Sequence, residues 1–157
     1  MRNNSSETRR TVVFGFPVAV VWRNGQVVEV SLRPRGGRSD PGLGRQIERV
    51  LLGGRIPKRL QVDVRGLPGF TRRILKVCAG IRPGETLSYG ELARRAGRPG
   101  AARAAGQVMA RNRFPLLIPC HRVVGVGGRL TGFGGGLRMK RELLAREAKD
   151  APCLCLK

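Results

Sequence analysis

Acidic side chains are scarce in this chain of 157 residues. Ten Asp and Glu stand against 31 Lys and Arg, which gives a formal net charge of +21. Both parts of the chain share the excess, with 13 basic and 5 acidic residues in 1–66 and 18 and 5 in the remainder. A field of this size favours a polyanionic partner such as nucleic acid. Arg outnumbers Lys 26 to 5, which suits phosphate contacts but is equally consistent with a GC-rich coding sequence.

Cysteine and histidine are also few. The four cysteines are Cys78, Cys120, Cys153 and Cys155, and the last two form a Cys-x-Cys pair, which is a poor start for a disulfide framework. We therefore expect reduced thiols and a cytoplasmic protein. The single histidine, His121, is next to Cys120 in sequence, so the clustered ligands that zinc requires are missing. No metal and no other cofactor is predicted.

A long hydrophobic run is missing as well. Residues 12–21 are largely apolar and follow Arg9 and Arg10, as in an export signal, but the run is too short to span a bilayer. No small-residue cleavage site follows it. Instead, Asn24-Gly25 separates this run from a second β-rich segment, which is a strong hairpin signal. We therefore expect strands here and no membrane segment.

The periodicity predicts an α+β fold, in which a small N-terminal antiparallel-sheet domain with a helix precedes a mainly helical C-terminal domain that contains a helix-turn-helix. The pattern breaks at residues 65–69, where Gly and Pro cluster, and this places a domain boundary near residue 66. The expected divisions are therefore 1–66, 67–150 and a tail, 151–157. The expected N-terminal elements are a frayed segment over 1–10, paired strands over 11–21 and 26–32, a short helix over 44–52 and a further strand over 60–64.

Capping residues mark the helices of the second part. Thr71 can cap one helix, and Ser88 with Glu91 has the spacing of a capping box at the start of the next. Another helix begins just past Pro99-Gly100. The helix that starts at Ser88 and the helix after Gly100 are short, and they are separated by a turn of the length that a helix-turn-helix requires.

The helix after Gly100 carries little bulk. Arg103 and Gln107 project from one face, and Arg111 closes the same side. Small side chains allow a helix to lie close to a nucleic-acid backbone, but an Ala-rich helix can equally pack tightly on a neighbouring helix. The basic balance of the surrounding sequence favours DNA.

A thiol and the sole imidazole stand between two apolar runs, at Cys120 and His121. A reactive cysteine here would need a base or a positive charge to form the thiolate, and His121 and Arg122 are at hand. The alternative is a buried structural cysteine beside a satisfied histidine. Glu147 follows Leu143 on the apolar stripe of a helix, so its carboxylate points inward and needs a partner. His121 is a plausible partner, which would give a Glu–His–Cys relay.

Residues 125–136, which join these two segments, are rich in glycine. The stretch can be a flexible linker, or a backbone that approaches a flat ligand closely. The absence of a following Gly-Lys-Ser/Thr argues against a phosphate-cradling loop.

These motifs together closely resemble the O6-alkylguanine-DNA alkyltransferase family. The motif Pro119-Cys120-His121-Arg122-Val123, with an Ala-Arg-Ala helix upstream of it, is highly specific to that family. The resemblance is strong over residues 66–148 and loose before them. The matching segments are 84–93, 102–104, Asn112, 118–124, 135–144 and Glu147.

The resemblance implies a DNA repair protein that flips O6-alkylguanine out of the duplex and transfers the alkyl group irreversibly to its own cysteine, once per molecule. Cys120 would be the acceptor, His121 would relay its proton through a water, and Glu147 would fix the histidine. Tyr89 would donate a hydrogen bond to the leaving guanine, and Asn112 would be a hinge between the recognition helix and the active-site segment. The residues leave open whether O4-alkylthymine is a second substrate.

The same resemblance implies a partner and its contacts: double-stranded DNA bound through the minor groove by a monomer that needs no obligatory protein partner. Arg103 would be a finger that fills the place of the flipped nucleotide. Phe133 stands where many family members have Tyr, and Gly134 replaces the Ser of some members. The implied DNA-contacting residues are Tyr89, Ala102, Arg103, Gly106, Gln107 and Arg111. The implied pocket residues are Met109, Pro115, Val123, Phe133 and Gly134.

Three other classes of protein compete with this interpretation. A lesion-flagging relative has Trp in place of the acceptor, and Cys120 speaks against it. A non-catalytic helix-turn-helix DNA-binding protein would use Cys120 only structurally and would need a dimer interface or an effector domain. A Cys-His hydrolase would require an oxyanion hole and turnover on acyl substrates.

Overall fold

The computed structural model describes residues 6–150 and begins with a four-stranded sheet. Its strands are β1 (Ser6–Val13), β2 (Phe16–Arg23), β3 (Gln26–Ser31) and β4 (Arg38–Ser39), in the order β3-β2-β1-β4. The first three strands pair antiparallel, and β4 runs parallel to β1. The expected antiparallel sheet is confirmed.

Both hairpins of this sheet turn on residues with positive φ. The predicted turn at Asn24-Gly25 is confirmed, with φ of 52° and 75°. The single strand predicted over 11–21 is wrong, because Phe14 and Gly15, with φ of 48° and 86°, divide it into β1 and β2. Residues 6–10, expected to fray, belong to β1 because they pair with the second half of β2.

The helix α1 (Pro41–Leu51) packs on β1. It begins three residues earlier than predicted because Asp40 caps it: the side chain accepts a hydrogen bond from the Leu43 amide at 3.0 Å. Gly44 allows the close approach, since a Cβ there would collide with the Val12 carbonyl. The predicted strand over 60–64 is wrong. A 3₁₀ turn covers Lys58–Leu60, and a single bridge joins Val62 to β3.

The second part of the chain is mainly helical, as predicted. Ser88 caps the third helix, accepting from the Glu91 amide at 3.2 Å, while the Glu91 side chain pairs with Arg95 instead of returning to Ser88. Thr71 does not cap a helix as expected, because the second helix already starts at Gly69 behind Pro68. The elements are α2 (Gly69–Ala79), β5 (Leu87–Ser88), α3 (Tyr89–Arg95), α4 (Ala102–Ala110), β6 (Val123–Val124) and α5 (Gly136–Asp150).

One cluster of buried side chains runs from the sheet to α5, through residues such as Val20, Ile47, Ile74 and Leu143. The two parts also share a backbone hydrogen bond, from the Val30 amide to the Arg113 carbonyl at 2.7 Å. The domain boundary near residue 66 stays a prediction. The tail with Cys153 and Cys155, like residues 1–5, lies outside the described residues. Within residues 6–150, no helix is long and apolar enough to cross a membrane.

Candidate active site

A two-residue parallel pairing builds the site. Leu87 and Ser88 of β5 pair with Val123 and Val124 of β6. Because α3 follows β5 and the 3₁₀ turn Cys120–Arg122 precedes β6, this pairing brings Tyr89 and Cys120 to one cavity of about 430 Å³. The cavity is lined by Tyr89, Gly106, Met109, Ala110, Cys120, Thr131, Gly132, Phe133 and Gly134.

Six of the predicted site residues line this cavity: Tyr89, Gly106, Met109, Cys120, Phe133 and Gly134. Pro115 and Val123, predicted as pocket walls, are buried away from it. Val123 lies away from the cavity because it belongs to β6, where its carbonyl accepts a hydrogen bond from Lys140. The sequence interpretation missed Ala110, Thr131 and Gly132. The last two belong to the glycine-rich stretch for which the sequence left two alternatives open, a flexible linker or a backbone that approaches a flat ligand.

His121 and Glu147 form a fully buried pair. His121 Nε2 lies 2.7 Å from Glu147 Oε1, and neither side chain is exposed. Burial is the largest influence on His121 and lowers its pKa, although the hydrogen bond with Glu147 opposes this. The imidazole is therefore neutral, with Nε2–H donating to the carboxylate. Its Nδ1 is buried with no hydrogen-bond partner among the described residues, so its lone pair is free to accept a proton.

Arg122 holds the other side of Glu147. Its Nε donates to Oε2 and its Nη2 to Oε1, each at 2.9 Å. The same guanidinium donates to the carbonyls of Leu51 and Ile81, so it also joins the C-terminal end of α1 to the site. Burial alone would raise the pKa of Glu147, but the hydrogen bonds from His121 and Arg122 outweigh it and the net shift is downward. Glu147 is thus an ionised carboxylate with both oxygens satisfied.

Cys120 is a free thiol with 9% of its surface exposed. Burial raises the pKa of this thiol above its ordinary value, while a hydrogen bond from Asn112 and the charge of Lys140 pull it down. The thiol is therefore protonated at rest. Forming the thiolate requires a proton acceptor, and the neutral imidazole of the next residue in the sequence is the candidate.

Lys140 is a buried cation that the sequence interpretation missed. Its side chain is fully buried, and Nζ donates to the carbonyls of Val123 at 2.7 Å and Thr131 at 3.2 Å. Among the described residues, no carboxylate lies within 4 Å of it. Burial lowers its pKa, and the neighbouring Cys120 opposes that shift. The signal that could have found it is the spacing i, i+3, i+7 of Lys140, Leu143 and Glu147, which places the lysine on the inward stripe of α5.

Asn112 joins the end of α4 to the segment that carries Cys120. Its Nδ2 donates to the Ile118 carbonyl at 3.0 Å, and its Oδ1 accepts from the Phe114 amide at 3.0 Å. Both bonds fold residues 112–118 back on themselves. The position fits the hinge role expected for it, and that role stays a prediction.

The outer face of α4 carries the predicted DNA contacts. Arg103, Gln107 and Arg111 are exposed, and neither arginine forms an ion pair within residues 6–150. Ala102 is half-buried, as is Gly106, where a Cβ would lie 3.8 Å from the Tyr89 ring. The helix therefore presents free positive charge outward and a nearly bare backbone to the cavity.

Comparison with known protein families gives one match over this part of the chain. The model of the family described as 6-O-methylguanine DNA methyltransferase, DNA binding domain, matches residues 69–149. These residues make up just over half of the chain and include the whole cavity and the buried pair.

Curated proteins are similar over the same region. A methylated-DNA--protein-cysteine methyltransferase of Mycolicibacterium paratuberculosis is 47% identical over 93 residues, which cover 59% of this chain and 56% of that protein. A protein of the same name from Salmonella typhimurium is 42% identical over 88 residues, or 56% of this chain and 51% of its own length. The match thus spans about half the length of these relatives.

Solved structures are similar over nearly the whole chain. The O6-methylguanine methyltransferase of Mycobacterium tuberculosis superposes with a TM-score of 0.77 at 32% identity, covering 95% of this chain and 96% of that one. The OGT of the same organism in complex with DNA gives a TM-score of 0.75 at 33% identity, covering 94% and 96%. The similarity therefore includes the N-terminal sheet, where the sequence resemblance is loose.

Proposed function

The chain belongs to the 6-O-methylguanine DNA methyltransferase family, and from that premise we propose that it repairs DNA by moving the alkyl group of O6-alkylguanine to Cys120. The observation that carries the proposal is the thiol at the cavity, followed in sequence by an imidazole whose Nδ1 is free and whose Nε2 is held by Glu147. That arrangement suits a thiol that must lose its proton in a largely buried position.

The reaction balances without a cofactor. The proton of Cys120 passes towards His121 Nδ1, through a water, and the thiolate Sγ attacks the alkyl carbon. The S–C bond forms as the bond between that carbon and O6 breaks, and the guanine leaves with the electron pair. A proton donated from Tyr89 and replaced from the imidazole neutralises the guanine. The products are S-alkylcysteine and guanine.

Lys140 supplies charge to this step. Its ammonium is close enough to Cys120 to lower the pKa of the thiol, and no carboxylate of the described residues lies within 4 Å of it to cancel its field. Because both groups are buried, such a charge acts strongly on a developing thiolate. Lys140 therefore assists proton loss without itself exchanging the proton.

The exposed face of α4 supports duplex binding. Arg103 and Arg111 are free to contact phosphates, and the small residues Ala102 and Gly106 allow the helix to enter the minor groove. The O6 atom is out of reach inside a duplex, so the nucleotide must be flipped into the cavity, with Arg103 filling the gap. The protein acts as a monomer.

One molecule performs one transfer. A thioether has no leaving group that water can displace at ordinary pH, so Cys120 is consumed. This separates the proposed repair protein from a Cys-His hydrolase, which would turn over, and from a lesion-flagging protein, which would bind without acquiring the group.

The test is intact-protein mass spectrometry after incubation with a duplex that contains O6-methylguanine. We expect each molecule to gain one methyl group and peptide mapping to place it on Cys120. The Cys120→Ser variant should gain none while retaining duplex affinity. Label on Cys78, Cys153 or Cys155, or release of the group with turnover, would contradict the proposal.

A further inference from the structure

Thr131 lines the cavity and has no role in the reaction described above. Its Oγ1 donates a hydrogen bond to the phenol oxygen of Tyr89 at 3.0 Å. Both residues are half-buried. Tyr89 and Thr131 stand 42 residues apart in the sequence, so the tertiary fold alone brings their two hydroxyl groups together.

The position of the Thr131 hydroxyl oxygen is fixed from two sides. Its backbone carbonyl accepts from the buried Lys140, and the Arg129 carbonyl accepts from the Gly125 amide at 2.7 Å. Its methyl group lies over Gly125, where a Cβ would come within 3.2 Å of Cγ2. Because a β-branched side chain has few χ1 rotamers, seating the methyl group over Gly125 also aims the hydroxyl at Tyr89.

This contact constrains the proton of Tyr89. A phenol has one proton to donate and two lone pairs that accept. Thr131 occupies one lone pair, so the phenol proton is left for another acceptor. Apart from Tyr89, Thr131 and Cys120, the side chains that line the cavity are apolar or glycine. The phenol proton is therefore available to whatever polar molecule enters the cavity.

We propose that Thr131 is a positioning residue for alkyl transfer: it orients the Tyr89 phenol so that its proton meets the departing guanine. The inference rests on the proposed function, because it needs a guanine base in the cavity. Thr131 itself touches Tyr89 and exchanges no proton with the base.

The first variant is Thr131→Val, which keeps the shape and the methyl contact over Gly125 but removes the donor. The single-turnover rate on a duplex with O6-methylguanine should fall roughly tenfold, the loss expected for one directed hydrogen bond. Thr131→Ser keeps the donor and loses the methyl group, so it should stay within about threefold of the parent. An unchanged or faster rate in Thr131→Val would overturn the proposal.

A double-mutant cycle separates positioning from a general structural role. In a Tyr89→Phe background, Thr131→Val should cause no further loss, because the phenol through which it acts is already gone. Equal losses in both backgrounds would overturn the proposal. Alkylation of Cys120 by iodoacetamide gives a second readout: it needs no guanine to leave, so Thr131→Val should leave its rate unchanged, and a parallel fall would also overturn the proposal.

Thr71→Val is the matched control. Thr71 is half-buried and lines a different cavity, between α2 and α4, so the same chemical change there should alter none of these rates. The experiments distinguish failure of the proposed alkyl transfer from failure of the proposed role of Thr131. If the parent protein transfers no alkyl group, the proposed function fails, whereas a parent that transfers and a Thr131→Val that matches it defeat only the present inference.

Discussion

The buried network at Glu147 and the outer face of α4 both belong to the site, but their arginines are held in opposite ways. Arg122 is 5% exposed and donates to four oxygens of the protein, whereas Arg103 is exposed and forms no ion pair among residues 6–150. The first is committed to the protein itself. The second is free for a partner. The structure thus separates the groups suited to the chemistry from those suited to binding, and this separation can be tested.

The largest expected contrast is in stability. Arg122→Ala leaves the Glu147 carboxylate and two backbone carbonyls buried with partners missing, so the free energy of unfolding should fall by about 3–5 kcal/mol. Arg103→Ala removes an exposed side chain and should stay within about 0.5 kcal/mol of the parent. Urea denaturation followed by circular dichroism measures both. Similar losses of unfolding free energy in the two variants would show that the two arginines are not held differently.

A contrast in substrate dependence follows. Arg103→Ala should slow transfer from duplex O6-methylguanine by roughly tenfold or more, because unstacking a base costs a few kcal/mol that the proposed Arg103 finger would offset. Reaction with free O6-benzylguanine should be unchanged, since a free base needs no flipping. Glu147→Gln should instead slow both substrates alike.

Arg141→Ala is the control for Arg103, because Arg141 is an exposed arginine on α5. Its rates on both substrates should match those of the parent. If Arg103→Ala depresses both reactions equally while the fold is intact, the residue is structural and the finger assignment is wrong.

The same separation explains how far the sequence could predict the site. The pair of His121 and Glu147 was predictable, because an acidic residue on an apolar helical stripe needs a buried partner and the chain has only one histidine. The burial of Lys140 was not recognised, because a lysine on a helix ordinarily reaches solvent. What holds it inside is a pair of carbonyls, from Val123 and Thr131, that only the tertiary fold brings together.

The fold shows a similar division. The Asn24-Gly25 turn was predictable because its residue types favour positive φ. The turn at Phe14-Gly15 was missed because a bulky aromatic rarely adopts that conformation and the flanking residues look like one continuous strand. Residues 60–64 alternate like a strand, but the chain pairs there only through Val62.

A smaller contrast concerns pH. Burial, the largest influence, lowers the pKa of His121 below its ordinary 6.5, so the unfolded chain takes up a proton that the folded chain resists. The neutral imidazole therefore makes its full contribution to the free energy of unfolding above pH 6.5. Below pH 6.5 the free energy of unfolding should fall by up to about 1.4 kcal/mol per pH unit. Glu147, whose pKa is also lowered, adds its loss only below its ordinary 4.5.

Because His121 is the only histidine, a loss of stability that begins near pH 6.5 can be assigned to it. Denaturation at about pH 7.5, 6.5 and 5.5 measures the slope, and His121→Gln should flatten it even if that variant is less stable throughout. A parent protein equally stable at the three values would show that the imidazole is not held neutral.

The smallest expected effect is on the salt dependence of duplex binding, and it tests whether the outer face of α4 carries phosphate contacts at all. Each neutralised phosphate adds about −0.9 to the slope of log K against log salt concentration. Arg111→Gln removes one exposed cation that caps the C-terminal end of α4 and forms no ion pair within residues 6–150. It should make the slope shallower by about 0.9, with only a modest loss of affinity at low salt. Arg55→Gln removes the same charge from an exposed loop after α1 and should leave the slope unchanged, although both variants lower the net charge equally. Fluorescence anisotropy on an undamaged duplex over a range of salt concentrations makes the measurement. If Arg55→Gln and Arg111→Gln shift the slope by the same amount, the binding follows the overall charge of the protein and α4 makes no local contact.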